Sequence, residues 1–300
     1  MKNVKKIIYS FIIVFLLIVL NTTIVKASST KINAPENVKA SVSGVANAKI
    51  KWSSVEGAKK YTIYRATSKK GKYKKVGTSK STSFKNKDLT RGKTYYFKVV
   101  ANGEDSNSKK SVYAKVSIPS KKKVLKKIRN ALKDKKWVKN NIKIKDLEGY
   151  SQVLYFGKVK NKELIVVEAL SEQAGRVQMF LVGYDGGKIV ATSSTEGPMN
   201  WYNGGAFIDL NKGIAGIGSL HMGYEYGKYF KVANVKFKAL DEFMNDEGAN
   251  YDNPTFEVNG KKVSRKKYNA TVKKYSKYNF GTLQSNGYKL TSKNIDKYVK

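Results

Sequence analysis

The residues able to do chemistry are few in this chain of 300 residues, which has one histidine and no cysteine. His221 stands in Leu220-His221-Met222-Gly223, at the end of a predicted strand. Zinc sites need several nitrogen or sulfur ligands and a general base needs an orienting partner, so this pattern favours a structural histidine. Without cysteine the chain forms no disulfide and has no thiol nucleophile. We therefore predict no metal site, no cofactor and no catalytic residue.

Paired carboxylates are the second chemical possibility, because glycosidases act through two of them placed roughly 5 to 10 Å apart. The candidates are Glu168, Glu172, Asp209, Glu225, Asp241 and Glu242. No motif fixes such a geometry, and Asp241-Glu242 and Asp246-Glu247 are typical of solvated loop or helix-start charges. Neither a phosphate-binding glycine loop nor a Gly-x-Ser-x-Gly turn occurs. We expect a non-enzymatic protein, with a hydrolase as the alternative.

A group of aromatic residues interleaved with glycine is the best binding candidate. Its rings are Trp201, Tyr202, Tyr224, Tyr226 and Tyr229, and Asn200 and Asn203 stand beside them. Exposed rings flanked by small residues stack on sugars, and asparagine hydrogen-bonds to their hydroxyls, which predicts glycan binding. Aromatic residues also commonly fill strands, so the alternative, which we favour, places these side chains in a core or over a sheet edge.

The charge is strongly positive, with 59 Lys and Arg against 22 Asp and Glu and a net charge of +37. Only five of the basic residues are arginine. Reading of bases favours the bidentate arginine fork, so no specific nucleic-acid partner is expected. Attraction to anionic cell-wall polymers such as teichoic acids, or to other polyanions, would be long-ranged and weakened by salt. A codon bias toward lysine is the alternative origin of part of this charge.

Residues 1–27 have the pattern of a cleavable signal peptide. Three lysines precede an apolar run from Ile7 to Leu20, and Val25-Lys26-Ala27 supplies a small-x-small cleavage site. The run is shorter than the roughly 20 residues that span a bilayer, which disfavours an uncleaved anchor. Cleavage removes four lysines and no acid, so the net charge falls from +37 to +33. We expect a secreted protein, extracellular or held on the cell wall by non-covalent contacts, with no transmembrane segment after cleavage.

The next segment is predicted to be a β-sandwich, joined to the signal peptide by a linker at residues 28–33. Within residues 34–119, short strands recur at regular spacing with turn residues between them. Apolar and polar residues alternate through residues 48–52, 61–64 and 95–100, so each of these strands has one face to bury.

Four motifs occur in this segment in a fixed order. They are Ala34-Pro35-Glu36-Asn37-Val38, Trp52, Gly57-Ala58-Lys59-Lys60-Tyr61 and Leu89-Thr90-Arg91-Gly92-Lys93-Thr94-Tyr95. With them, residues 34–119 resemble a bacterial fibronectin type III domain. The resemblance implies structural roles for Trp52 between the sheets, for Tyr95 at a corner tied by its hydroxyl, and for Tyr61, Leu89 and Gly92. No Arg-Gly-Asp triplet is present, so no integrin role is implied.

The periodicity changes after the sandwich, in a segment rich in lysine. From Val124, apolar residues recur at i, i+1, i+4 and i+8, which predicts an amphipathic helix over residues 121–136. We favour docking of its apolar stripe on the following domain over attachment to an anionic surface. Residues 120–150 are thus predicted to be an amphipathic helix and a connector.

Residues 151–300 are predicted to be a second, β-rich domain. Its strands are expected at residues 152–159, 163–170, 176–184, 188–194, 206–210, 214–220, 229–240 and 255–258. Asp185-Gly186-Gly187 and Asn259-Gly260 are typical hairpin turns, and Ser264 is a good N-cap for a short helix. A strand and turn are expected over residues 279–288, followed by a loose basic end. The predicted fold class is mostly β: a fibronectin type III β-sandwich plus a second β-rich domain carrying two short helices.

Five motifs of the second domain point to a family of secreted modules. They are Tyr155-Phe156, Glu163-Leu164-Ile165-Val166, Tyr184-Asp185-Gly186-Gly187-Lys188, Trp201-Tyr202-Asn203-Gly204-Gly205 and Val258-Asn259-Gly260-Lys261-Lys262-Val263-Ser264. They resemble a carboxy-terminal module of clostridial secreted proteins that is itself similar to the calcium-binding repeats of integrin-like β-propellers. In that module, alternating aspartates before Glu-Leu hold calcium. The turn here is Lys158-Val159-Lys160-Asn161-Lys162, and a protonated lysine has no lone pair for a cation, so the resemblance implies that the calcium site is lost.

Together these patterns favour a monomeric, cell-surface or cell-wall-associated binding or adhesion protein with a strongly basic surface. The alternative is a polysaccharide- or cell-wall-degrading enzyme, or its accessory subunit, in which the fibronectin-like module accompanies a catalytic domain.

Overall fold

The computed structural model describes residues 31–104, 106–143, 151–171, 176–194, 205–221 and 224–300. The signal peptide predicted for residues 1–27 lies outside these ranges. The described chain is mostly β, which confirms the predicted fold class, and it forms antiparallel sheets of three, four, five and six strands. No helix in these ranges is long and apolar enough to cross a membrane.

The first seven strands form a β-sandwich. They are β1 Lys39–Ser43, β2 Asn47–Lys51, β3 Lys60–Ala66, β4 Lys74–Ser79, β5 Ser83–Asn86, β6 Thr94–Asn102 and β7 Ala114–Ser117. One sheet has the order β1-β2-β5 and the other has the order β4-β3-β6-β7. This arrangement of three strands packed on four is the fibronectin type III-like fold that the sequence motifs indicated.

Aromatic side chains and their hydroxyls fix the centre and the corner of the sandwich. Trp52 is buried between the sheets and packs edge-on against Tyr61, with ring centroids 5.2 Å apart. The Tyr61 hydroxyl accepts a hydrogen bond from the Val55 N–H at 3.0 Å. The Tyr95 hydroxyl accepts one from the Thr90 N–H at 2.9 Å. Each tyrosine therefore buries its ring and also accepts a hydrogen bond from a backbone N–H group.

The chain leaves the sandwich through two helices, where one was predicted over residues 121–136. Helix α1, Lys121–Lys133, begins after Ser120, whose side chain accepts a backbone N–H of the first turn. It ends at Asp134, because the Asp134 carboxylate accepts two backbone N–H groups, at 2.9 and 3.0 Å, and so caps helix α2, Lys135–Asn141. An aspartate N-cap starts a new helix more readily than it continues an old one.

The second domain contains two further sheets. Their strands are β8 Val153–Lys158, β9 Ile165–Ser171, β10 Arg176–Asp185, β11 Lys188–Ser193, β12 Gly205–Asp209, β13 Ile214–His221, β14 Tyr224–Ala233, β15 Lys236–Asn245, β16 Phe256–Val258, β17 Lys261–Lys262 and β18 Tyr288–Lys289. The five-stranded sheet has the order β11-β10-β9-β8-β18, and the six-stranded sheet runs from β12 to β17 in sequence order. Three helices accompany them: α3 Arg265–Lys273, α4 Leu283–Asn286 and α5 Ser292–Tyr298.

The five-stranded sheet is the central layer because both of its faces are buried. Val167 and its neighbours on one face pack against the apolar stripe of α1 and against Ile295 of α5. Val166 and Leu181 on the other face pack against the six-stranded sheet. The far side of that second sheet is covered by Tyr268 of α3 and by other aromatic side chains. The domain is therefore built as helix, sheet, sheet and helix layers.

The strand predicted over residues 229–240 is wrong, because the chain reverses within it. Strands β14 and β15 form a hairpin whose turn residues, Asn234 and Val235, have φ angles of 50° and 55°. Asparagine is common at positive φ but valine is rare there, so Asn234-Val235 is a weaker turn signal than Asn-Gly. Burial of Val235, which is 4% exposed in the core between the two sheets, offsets the cost of this conformation.

The carboxy-terminal region is also more ordered than predicted. The strand and turn expected over residues 279–288 contain helix α4, and the end expected to be loose forms helix α5. Ile295 and Val299 of this end are buried in the core beneath α1. The Arg129 guanidinium of α1 donates two hydrogen bonds to the Val299 carbonyl, at 2.9 and 3.1 Å. This helix was not predicted, because the sequence shows only two aliphatic residues among the lysines of this end.

The sandwich lies against the second domain through polar and apolar contacts. The Gly44 N–H, in the turn between β1 and β2, donates to Asp185 Oδ1 at 2.8 Å. Arg91 and Glu163 form an ion pair at 2.7 Å that is mostly shielded from solvent. Val45 packs on the same core that α1 covers. Gly92, at a φ of 80°, and the buried Leu89 shape the turn that presents Arg91.

We predict that Tyr95→Phe lowers the free energy of unfolding by about 1 to 2 kcal/mol, because the Thr90 N–H loses its acceptor in a part-buried hydrogen bond. Urea denaturation measures this loss. Tyr96→Phe is the matched control, since Tyr96 lies on the outer face of the same strand and its change should stay within about 0.5 kcal/mol. Equal losses in the two variants would contradict the structural role of the Tyr95 hydroxyl.

Candidate polyanion-binding surface

The aromatic group predicted to bind glycans is only partly described. Trp201, Tyr202 and Asn203 lie outside the described residues. Tyr224 is 52% exposed at the start of β14. Tyr226 is half-buried, and its hydroxyl donates to Glu242 Oε1 at 2.9 Å. Burial and this hydrogen bond raise the pKa of Tyr226 above its ordinary value. Of the three described rings, Tyr224 is therefore exposed and Tyr226 has a structural partner. Tyr229 is buried, at 8% exposure, which removes it from any glycan-binding surface.

Three of the candidate carboxylates accept hydrogen bonds from tyrosine hydroxyls. Tyr268 donates to Glu225 at 2.7 Å and Tyr275 donates to Asp241 at 2.8 Å, in addition to the bond from Tyr226 to Glu242. These pairs border an aromatic layer in which the Tyr275 and Tyr229 rings stack with centroids 3.6 Å apart. Asp241 and Glu242 were expected in a loop or at a helix start, but both lie within strand β15, where each accepts a hydrogen bond from a tyrosine.

Two other candidate carboxylates cap backbone N–H groups. Glu168 is buried and accepts from the Leu283 N–H at 3.0 Å. Asp209 accepts from the N–H groups of Asn211 and Lys212 at 2.9 and 3.0 Å, and from a third backbone N–H at 3.1 Å. Glu172 lies outside the described residues. Since their lone pairs are used in this way, these carboxylates act as turn caps.

The turn that resembles a lost calcium site contains lysines with structural partners. Lys162 donates from its ammonium group to the Val232 carbonyl at 2.9 Å. Asn161 adopts a φ of 58°, which closes the turn. Among the described residues there is no group of three or more His, Cys, Asp or Glu that could hold a metal ion. His221 ends strand β13, and its side chain is outside the described part of the structure.

An array of tyrosine rings and lysine ammonium groups lies on the outer face of the four-stranded sheet of the sandwich. We call it the tyrosine–lysine face. It consists of Tyr64, Tyr73, Tyr96, Tyr113, Lys69, Lys98 and Lys110. The strand register places Tyr64 of β3 opposite Lys98 of β6, and Tyr96 opposite Lys115 of β7. Because side chains alternate along a strand, Tyr64, Tyr96 and Lys98 lie on the face opposite to the core. The other four residues lie in segments that flank the strands and reach the same surface through their ring contacts.

Each of the three lysines in this array lies over a tyrosine ring. The distances from the ammonium nitrogen to the ring centroid are 5.3 Å for Lys69 over Tyr113, 4.9 Å for Lys98 over Tyr73 and 4.7 Å for Lys110 over Tyr64. Tyr96 packs edge-on against Tyr113, with centroids 5.5 Å apart. Burial and the neighbouring Tyr113 and Tyr96 raise the pKa of the Tyr73 hydroxyl. The phenol and ammonium groups are therefore close enough for one ligand to contact several of them.

None of these three ammonium groups has a carboxylate within ion-pair distance among the described residues. A ring quadrupole attracts a cation but does not neutralise its charge. The ammonium groups therefore remain available to an incoming anion. The rings limit the freedom of the lysine stems, so less side-chain entropy is lost on binding. This surface was not predicted from the sequence, although Tyr64, Tyr96 and Lys98 at the outward positions of β3 and β6 are a signal for it.

No family model and no curated protein matches this chain. Solved structures match part of it. A Fn3-like protein from Clostridium thermocellum is 25% identical over 29% of this chain and 93% of its own, with a TM-score of 0.27. The fn3 domain of the human collagen alpha-1(XX) chain is 17% identical over 32% of this chain and 93% of its own, with a TM-score of 0.27.

One partial match is to an enzyme structure. A beta-1,2-glucanase from Parabacteroides distasonis is 22% identical over 34% of this chain and 15% of its own, with a TM-score of 0.28. These matches are short and distant. The fibronectin type III-like fold of the sandwich therefore follows from the strand order, the buried Trp52 and the corner at Tyr95, which the structure itself displays.

The tyrosine–carboxylate pairs predict how stability depends on pH. Burial raises the pKa of Asp241, but hydrogen bonds from Tyr275 and Asn259 and the charge of Lys274 outweigh it and leave that pKa below its ordinary value. Burial likewise raises the pKa of Glu242, and the bonds from Lys228 and Tyr226 lower it further than burial raises it. A carboxylate whose pKa is lower in the folded than in the unfolded state stabilises the fold above the unfolded pKa.

We therefore expect the free energy of unfolding to fall as the pH drops below about 4, near the ordinary carboxylate pKa values, and to keep falling through the lower folded values. Glu242→Gln removes one of these groups, costs about 1 kcal/mol at neutral pH and flattens the acid dependence. Urea denaturation between neutral pH and about pH 3 measures both effects. An unchanged acid dependence in this variant would contradict the assignment.

Proposed function

We propose that this chain is a secreted, non-enzymatic binding protein whose sandwich attaches it to anionic cell-wall polymers. The observation that carries the proposal is the tyrosine–lysine face, with three ammonium groups that lie over rings and have no carboxylate partner in the described structure. Phosphate groups along a wall polymer would bind these ammonium groups, and sugar or polyol units between the phosphates would contact the tyrosine rings and hydroxyls.

The identity of the cations supports a polymer backbone as the ligand rather than nucleic-acid bases. The face contains lysines, which act as point charges and make no planar fork. Arg65, on β3, points inward and contacts the Tyr95 ring and Asn86 instead. Arg91 is used at the contact between the two domains. A surface of this kind recognises charge density and accepts many arrangements of phosphate groups.

The carboxylates support a non-enzymatic role. General acid–base hydrolysis needs two carboxyl groups that face a common cleft. In the described chain, Glu168 and Asp209 cap backbone groups, while Glu225, Asp241 and Glu242 accept hydrogen bonds from tyrosine hydroxyls. We therefore assign these acids to stability and not to hydrolysis.

The proposal predicts how binding to isolated Gram-positive cell walls depends on charge. Simultaneous Lys69→Gln, Lys98→Gln and Lys110→Gln should weaken binding about 10-fold or more at low salt, since each lost contact with an exposed charge costs roughly 0.5 to 1 kcal/mol. Wild-type protein should be released between about 0.05 and 0.5 M NaCl, because screening shortens the reach of the charges. Co-sedimentation with walls measures both quantities.

The matched control removes three charges elsewhere. Lys261, Lys262 and Lys266 are exposed on the second domain and have no ion-pair partner among the described residues. Their triple change to Gln should weaken binding much less than the change on the tyrosine–lysine face. Equal weakening by both triples would show that net charge alone governs binding and would reject this face as the site. Retention on walls at 0.5 M NaCl would reject the electrostatic basis.

A further inference from the structure

The second domain contains an open polar cleft with a volume of about 430 Å³. It lies where β8 of the five-stranded sheet meets β12 of the six-stranded sheet. Its polar and aromatic lining includes Asp209, Asn211, Asn279, Asn286, Tyr288 and Tyr298. The volume is within the range of about 300 to 1,000 Å³ that is typical of small-molecule sites.

The buried carboxylate of Asp209 fixes two walls of this cleft. Asp209 is 4% exposed. Its Oδ1 accepts the Asn211 and Lys212 N–H groups at 2.9 and 3.0 Å, and its Oδ2 accepts the Asn279 N–H at 3.1 Å. One carboxylate therefore fixes the position of the turn after β12 relative to the segment before α4. Asp209 is a positioning residue, because its lone pairs go to the backbone.

The side-chain amides of three asparagines line the cleft without a protein partner. The carboxamides of Asn211, Asn279 and Asn286 form no hydrogen bond to any residue in the described structure. Asn286 lies directly over Gly281, where a Cβ atom would come within 1.6 Å of its Nδ2. Gly281 itself pairs with Ile208 of β12. The backbone thus leaves room for a carboxamide at this position, and each carboxamide offers both donors and an acceptor.

Two stacked tyrosines form the remaining wall. The rings of Tyr288 and Tyr298 lie parallel, with centroids 3.4 Å apart and an interplanar angle of 11°. Tyr288 is 38% exposed and is anchored by the pairing of β18 with β8. A preorganised aromatic surface beside several amide groups is the combination that binds the apolar face and the hydroxyls of a sugar ring.

The charges of the cleft balance, which distinguishes it from the rest of this basic protein. The residues that line it include one cation, Lys158, and one anion, Asp209. The Lys158 ammonium donates to the main-chain oxygen of Lys300. Burial, and then the nearby Lys121, lower the pKa of Lys158. The cleft therefore has little charge to attract a polyanion, and its available groups are amides and rings.

From this geometry we propose that the cleft is a binding site for an uncharged, hydroxyl-rich ligand, namely a short neutral saccharide. Asn211, Asn279 and Asn286 hydrogen-bond to the hydroxyls, and Tyr288 contacts the sugar ring. This site is separate from the tyrosine–lysine face in position and in chemistry. A wall-associated protein would then contact charged polymer through one domain and neutral glycan through the other.

The test uses the whole chain in 0.5 M NaCl, where binding through exposed charges is suppressed. Chitotriose, cellotriose, maltotriose and laminaritriose are titrated to about 10 mM, a range that detects millimolar affinity. Two-dimensional NMR follows the side-chain amide signals. We expect at least one trisaccharide to shift the amide signals of the three cleft asparagines. The double change Asn211→Ala and Asn286→Ala should weaken that binding about 10-fold or more without lowering the melting temperature, since neither carboxamide has a protein partner.

Asn269→Ala on the exposed side of α3 is the matched control and should bind like the wild type. Absence of any shift with all four trisaccharides would overturn the proposal, as would binding that the double variant retains in full. Shifts that appear only with a polyanion would also overturn it. Because the titration is done at high salt, its failure leaves the salt-sensitive attachment through the tyrosine–lysine face to be decided by the cell-wall experiment.

Discussion

The scarcity of carboxylates is the constraint on which this structure depends. The chain has 59 Lys and Arg but 22 Asp and Glu, so most of its cations have no possible acidic partner. Many of its carboxylates accept hydrogen bonds from backbone N–H groups, as Asp134 and Asp209 do. Others accept them from tyrosine hydroxyls, as Asp241 does from Tyr275. Lysines contact aromatic rings and carbonyl oxygens instead, as Lys110 and Lys162 do. A basic surface is therefore a consequence of how the fold uses its acids.

Because the acids are used in this way, the residues that stabilise the fold differ from those that can bind a ligand. The cores are apolar and aromatic, with the five-stranded sheet covered on both faces and no disulfide to help it. The positive charge stays on outer faces, where mutual repulsion is reduced by water and salt. The sandwich shows this division along single strands: Phe97 is fully buried on β6, while the neighbouring Tyr96 and Lys98 belong to the tyrosine–lysine face. Binding residues can thus change without disturbing the core, whereas the Tyr95 hydroxyl cannot be removed without affecting it.

Local patterns predicted much of the fold because the physics at those positions is local. Alternation placed the strands of the sandwich, and Gly186, Gly187 and Asn259 adopt the positive φ angles that their turn motifs require. Ser264 caps its helix as expected. The sequence could not predict the turn at Val235, because its cost is offset by burial against residues far along the chain. The tyrosine–lysine face and the cleft were missed for a similar reason, since strand register and the Asp209 carboxylate bring their distant residues together.

The central claim is that a polyanion binds the outer face of the four-stranded sheet. Titration of the whole ¹⁵N-labelled chain with soluble poly(glycerol phosphate), followed by two-dimensional NMR at low salt, tests it most directly. The account predicts that the backbone amides with the largest shifts lie around Tyr64, Tyr96, Lys98 and Tyr113, and that added NaCl reverses these shifts. Shifts centred instead on the lysines of α1 or on the cleft around Asp209, with the sheet unperturbed, would contradict it.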